Sequence, residues 1–112
     1  MKESEAVAAL SALAHEHRLR IFRLLVTECP DGVAAGEIAQ RVGISPTSLS
    51  FHLKELDHAG LVTATRDGRF VRYAVRVDGM SRLLAYLTED CCRGKPELCG
   101  SAGVAARAVC KQ

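Results

Sequence analysis

Apolar positions recur at helical spacing through the first half of the chain, then at a spacing of two, then at helical spacing again. Over residues 4–14 (SEAVAALSALA), Val7, Leu10, Leu13 and Ala14 form one stripe, which predicts an amphipathic helix with that stripe turned inward. Residues 16–28 repeat the pattern with Leu19, Ile21, Phe22, Leu25 and Val26, and Pro30-Asp31-Gly32 supplies the turn chemistry that ends it. A short third helix, Ala35 to Arg41, is closed by Gly43 just beyond its end. Ser45-Pro46 then gives an N-cap and a proline at the first helical position. The helix this starts, Pro46 to Ala59, carries Leu49, Leu53 and Leu56 on one stripe, and Gly60 is placed to stop it. Two short helices about a tight turn at Gly43-Ile44 make a helix-turn-helix.

Beyond Gly60 the period becomes two. Leu61–Arg66 and Arg69–Val77 are rich in β-branched and aromatic residues, and Asp67-Gly68 between them predicts a two-residue hairpin turn. In the second strand Val71, Tyr73, Val75 and Val77 fall on one face and Arg72 and Arg76 on the other, so an apolar side faces the core and a basic side faces out. Residues 80–89 return to helical spacing with Leu83, Leu84 and Leu87, an apolar face larger than so small a core can bury, which predicts a partner subunit as its cover. The expected architecture is mainly α with a small β-hairpin, a winged helix-turn-helix that dimerises through its N- and C-terminal helices. Residues 1–90 are expected to form this domain and residues 91–112 a cysteine-containing tail.

Composition narrows the class. The 112 residues are 48% apolar and 25% charged, enough for one small core, and no window approaches the roughly 18 apolar residues of a membrane span. A cytoplasmic protein without membrane contact is expected. From Arg41 to Val77 six basic residues (Arg41, Lys54, Arg66, Arg69, Arg72, Arg76) oppose three acidic ones (Glu55, Asp57, Asp67), an excess suited to a phosphate-facing surface or to a solvated basic face. Paired acids, a glycine-rich phosphate loop and a Cys/His constellation at catalytic spacing are all missing from the sequence, so neither an enzyme nor a protein substrate is expected.

With the leucines of the fourth helix inward, 100° per residue turns Thr47, Phe51 and Lys54 outward with Ser50 at the flank. Ser45, Thr47, Ser48 and Ser50 offer hydroxyls to base edges or phosphates, Lys54 a cation, and Phe51 either an apolar contact for a thymine methyl or packing against the wing. Arg66, Arg69 and Arg72 suit backbone or minor-groove contact. His52 lies near the edge of the leucine stripe, where a hydrogen-bonded packing role is expected. His15, His17 and His58 lack ligand-like spacing to the cysteines and receive no function.

The run Ile44-Ser-Pro-Thr-Ser-Leu-Ser-Phe-His-Leu-Lys-Glu-Leu-Asp-His-Ala-Gly-Leu-Val62, with Leu13-Ala14, Arg18-Leu19-Arg20-Ile21 and Arg66-Asp-Gly-Arg69 around it, resembles the winged-helix repressors of the ArsR/SmtB family over about residues 6 to 90. The resemblance implies a homodimer on palindromic operator DNA, released by an inducer, with control of genes that export or modify arsenic.

The inducer site falls on Cys91, Cys92 and Cys99. Three thiolates satisfy a trigonal pyramidal As(III) or Sb(III) centre, whereas zinc ordinarily takes four ligands. A helix continuing over the seven residues from Cys92 to Cys99 would hold the sulfurs about 10 Å apart, so the chain must break, and Arg93-Gly94-Lys95-Pro96 supplies the means. Arg93 and Lys95 favour thiolate over thiol. Five cysteines in a reducing compartment are expected to stay free, with Cys29 a small structural side chain and Cys110 a spare thiol or a fourth ligand for zinc or cadmium. The third helix has no cysteine where many arsenic-responsive members carry theirs, and residues 78–90 contain no histidine for the zinc site of other members. A redox- or persulfide-sensing repressor and a Zn/Cd-responsive repressor on the same scaffold are the alternatives.

Overall fold

The structure is a computed structural model and describes residues 1–89. Five helices and three short strands run in the order α1 (Glu3–Leu13), α2 (Glu16–Thr27), β1 (Val33–Ala34), α3 (Ala35–Val42), α4 (Pro46–His58), β2 (Val62–Asp67), β3 (Phe70–Val75) and α5 (Val77–Leu87). The expected helices and hairpin are present, with end points within a few residues of those expected.

The first departure concerns which face of α1 is inside. Ala6, Ala9 and Ala12 are its buried residues, while Val7 and Leu10 are 56% and 42% exposed. Small side chains let α1 lie close to its neighbours, and the larger residues, expected in the core, are left on the outer face. Leu19 of α2 is likewise exposed, and the burial of that helix rests on Ile21, Phe22 and Leu25.

A second departure is β1, absent from the sequence reading because two residues carry no period. It pairs antiparallel with β3 (Val33 with Tyr73, Ala34 with Arg72), so the hairpin becomes the larger part of a three-stranded sheet ordered β1-β3-β2. Gly32 makes this docking possible: its φ is +84°, and a Cβ there would run into the Tyr73 carbonyl. The hairpin turn also sits one residue later than expected. Asp67 pairs with Phe70, leaving Gly68 and Arg69 as the loop, with the positive φ of +64° at Gly68. Finally, α5 starts at Val77, a residue expected to extend β3; that residue is exposed at the first helical position.

The core is one continuous cluster. Ile21, Leu25, Ile38, Leu53, Leu56, Leu61 and Val62 are almost fully buried, joining α2, α3 and α4 to the base of the wing. Leu83 brings α5 onto the same cluster. At roughly 2 kcal/mol for each such side chain, this cluster is the main term holding α4 in place. Cys29 follows α2, is half-buried against the core and is disulfide-bonded, contrary to the expectation of five free thiols. That expectation rested on the redox poise of a compartment, which carries no information about geometry. The predicted break at Gly94 to Pro96 lies outside the described residues.

Candidate nucleic-acid interface

The fourth helix is anchored at its start by its own sequence. Ser45 is extended, and its Oγ accepts the Ser48 backbone N–H at 3.2 Å and lies 3.1 Å from the Ser48 hydroxyl; Pro46 follows in the first turn. One orphan donor is thereby satisfied and the helix direction is set. Gly43, left-handed with φ 80°, ends α3 and turns the chain toward this cap. Leu49, Leu53 and Leu56 then tie the helix down along its inner face.

What remains outside is a row of exposed residues: Thr47, Ser48, Ser50, Phe51 and Lys54, with the capping Ser45 at its head. Phe51 is 57% exposed and touches His52 edge to face at 5.6 Å between ring centroids, rather than packing on the wing. Exposed hydroxyls and a cation on one helix face are the groups with which a helix in a major groove can bond base edges and phosphates.

The wing adds a second surface. Arg66 in β2 and Arg69 in the turn are exposed. Arg72 is exposed too, although one of its guanidinium nitrogens donates to the Gly32 carbonyl at 3.2 Å, which fixes the side chain along the β1 edge and leaves its remaining donors outward. Phe70, 68% exposed on the face that carries Arg72, is a residue the sequence reading passed over. The signal was available, since Phe70 alternates with the inward Val71 and Tyr73.

His52 is the buried polar residue of α4, 7% exposed. Its Nδ1 is buried without a hydrogen-bond partner among the described residues, so the expected hydrogen-bonded role is not what the structure shows. Its ring lies against those of His15 and His17, with centroids 4.6 and 5.6 Å away. Burial holds its pKa below the usual histidine value, and the nearby His15, Arg18 and His17 lower it further. Sequence spacing gave no hint of this group, because His15 and His17 meet His52 only through the packing of α2 on α4.

Cys91, Cys92 and Cys99 lie outside the described residues. Among the described residues no helix is long and apolar enough to cross a membrane.

Comparison with known proteins agrees with this architecture. Residues 13–64 match the family model described as a helix-turn-helix domain. NolR of Rhizobium meliloti is 36% identical over 84 residues, which are 75% of this chain and 66% of NolR. The regulator CmtR of Mycobacterium tuberculosis is 38% identical over 90 residues, covering 80% of this chain and 73% of CmtR. A Halobacterium salinarum protein named as an arsenical resistance operon repressor, ArsR, is 34% identical over 79 residues, 70% of this chain and 60% of that protein. Among solved structures, the homodimeric winged helix-turn-helix DNA-binding domain of Mb0332 from Mycobacterium bovis superposes with a TM-score of 0.64 at 25% identity, covering 91% of this chain and 83% of that one. The helix-turn-helix, the wing and these relatives together give one conclusion: the chain belongs to the ArsR/SmtB family of winged helix-turn-helix transcriptional regulators.

Proposed function

We propose that this chain is a homodimeric repressor that holds a palindromic operator when free of inducer and releases it when As(III) or Sb(III) engages Cys91, Cys92 and Cys99. The DNA-binding half of the reading is carried by the outer face of α4, where Ser45, Thr47, Ser48, Ser50, Phe51 and Lys54 are all exposed, flanked by Arg66, Arg69 and Arg72 of the wing. The dimer is supported by the apolar residues that α1 and α5 leave outward, Val7, Leu10 and Leu87, and by the homodimeric state of the Mb0332 domain.

The inducer reading is carried by the donor set: a vicinal thiol pair and a third thiol beyond a Gly/Pro-containing loop suit a three-coordinate soft ion. The Halobacterium relative named for arsenical resistance is in keeping with it. Such thiols follow directly on α5, so closing them around an ion alters the end of a helix whose outer face is offered to the partner subunit. A coupling of about 1–3 kcal/mol would weaken operator binding some 5- to 150-fold. Regulated genes for arsenic export or modification, and residence in the cytoplasm, follow from this reading.

The test is operator binding titrated with arsenite, antimonite, zinc, cadmium and peroxide, on the parent chain and on the C91S/C92S/C99S variant. Release by arsenite or antimonite in the parent and its loss in the variant supports the reading; intact release in the variant overturns it. A redox-sensing repressor is the second reading, favoured by the disulfide at Cys29. It predicts release by peroxide without metal, accompanied by a Cys–Cys bridge in the mass spectrum.

A further inference from the structure

Among the described residues, apart from the candidate DNA-facing surface, one group of histidines has metal-ligand chemistry. His15, at the start of α2, His17, in its first turn, and His52, on α4, each offer a ring nitrogen, and the three nitrogens lie within 4.8 Å of one another. An ion bound at about 2.0–2.1 Å in tetrahedral geometry holds its nitrogens about 3.4 Å apart, so the rings need to close by about 1.4 Å at most. His15 is exposed and His17 only half-buried, and both have room to turn; His52 is held by the core.

We propose that His15, His17 and His52 bind a borderline divalent transition-metal ion of the Zn2+, Co2+ or Ni2+ class, at the junction of α2 with the recognition helix α4. Two observations distinguish the group from a packing cluster of rings. The buried Nδ1 of His52 has no partner among the described residues, whereas a histidine retained only for packing satisfies its buried nitrogen. Imidazole is also the ligand this metal class favours, and three imidazoles with an open fourth position are an established zinc set. The neighbouring charge is Arg18, whose Nε is buried nearby without a partner among the described residues, and an anionic fourth ligand such as hydroxide or chloride would offset it.

His15 makes the site a linked one. Its Nδ1 accepts the His17 backbone N–H at 3.1 Å as the N-cap of α2. A neutral imidazole that accepts at Nδ1 carries its proton on Nε2. Metal at Nδ1 displaces the cap directly, and metal at Nε2 requires the proton to move to Nδ1, which then cannot accept. Either mode releases the cap, so binding loosens the first turn of α2 while pinning it to α4 one residue from Phe51.

The test uses the full chain with all five cysteines, Cys29 included, changed to serine, so that no thiol competes, titrated with Co2+ and Zn2+ by calorimetry and by the visible bands of Co2+. The expected result is one ion per chain, binding at least tenfold weaker in H17Q and in H15Q, and unchanged in H58Q, which removes the remaining histidine. Nitrogen-15 spectra should show the His17 amide shifting with the metal and the ring nitrogens of His52 moving out of their neutral positions. Circular dichroism of H17Q and H15Q establishes that both fold. Equal binding in H17Q and the parent, or equal weakening in H58Q, overturns the proposal, as does a metal-independent His17 amide. None of this depends on the cysteines, so failure here leaves the thiol reading standing, and the converse also holds.

Discussion

Gly79, in the first turns of α5, lies so close to Gly60 that a Cβ on Gly79 would overlap the Gly60 carbonyl. Gly60 is the left-handed residue that ends α4, with φ 77°, and the chain from it leads into β2. Helix α5 is thus seated directly on the exit of α4. Replacing Gly79 by alanine should lower stability by about 1–3 kcal/mol, since neither backbone can move aside cheaply. Urea unfolding measures it, and a change below about 0.5 kcal/mol would show that the crossing is looser than it looks.

Lys54→Ala, Arg66→Ala and Arg69→Ala should each weaken binding to operator and to unrelated duplex alike. Each removes an exposed cation that the proposed function turns toward phosphate, so the slope of log affinity against log salt should become shallower by about one unit per residue. Thr47→Ala and Phe51→Ala should instead reduce discrimination between operator and unrelated DNA, by about 1–3 kcal/mol per lost base contact. A series in which all five variants change only the salt slope would deny α4 a role in reading sequence.

Ser45→Ala removes the acceptor of the Ser48 N–H, a loss of about 1 kcal/mol in stability. The same change frays the end of α4 that the proposed function brings to the DNA, so operator affinity should fall by more than one lost phosphate contact explains. Thermal unfolding and operator binding on the same variant separate the two effects.

Leu10→Glu places a charge on the outer face of α1, beside Val7, and should yield a folded monomer in sedimentation. Ala9→Glu, on the buried face, should unfold the chain instead. Dimeric L10E would exclude this face as the interface.

His52 gives a pH dependence of defined sign. Buried, and faced by His15, His17 and Arg18 with Phe51 beside it, it binds a proton less readily when folded than when unfolded. Stability from this group is therefore complete above the ordinary histidine pKa of about 6.5 and is lost as pH falls toward the lowered folded value. In chelator-treated buffer the urea midpoint should drop between about pH 7 and pH 5, and H52Q should flatten that drop. Parallel curves for parent and variant would contradict it.

Local sequence made most of the fold legible where a local rule applies. Ser45-Pro46, Gly43 and the leucines of α4 state their own geometry, and Val62–Asp67 shows its period of two. Long-range relationships were hidden. Nothing near Val33 announces that it will lie beside Tyr73, and alternation of large apolar residues on α1 could not reveal that alanines face inward because the neighbouring helix comes so close. The DNA face was readable as one helix surface, while the histidine group, drawn from two elements, became visible only once α2 and α4 were packed.

The pairing of β1 with β3 has a consequence for the operator. Since β1 runs straight into α3, the wing is stitched to the helix-turn-helix and behaves as the second jaw of a fixed caliper. Under the proposed function, the offset within one subunit between the points met by a groove-reading α4 and a duplex-touching wing is then held by this pairing. A half-site lengthened by a single base pair between those points should lose one contact or the other, and tolerance to altered spacing is left to the joint between subunits.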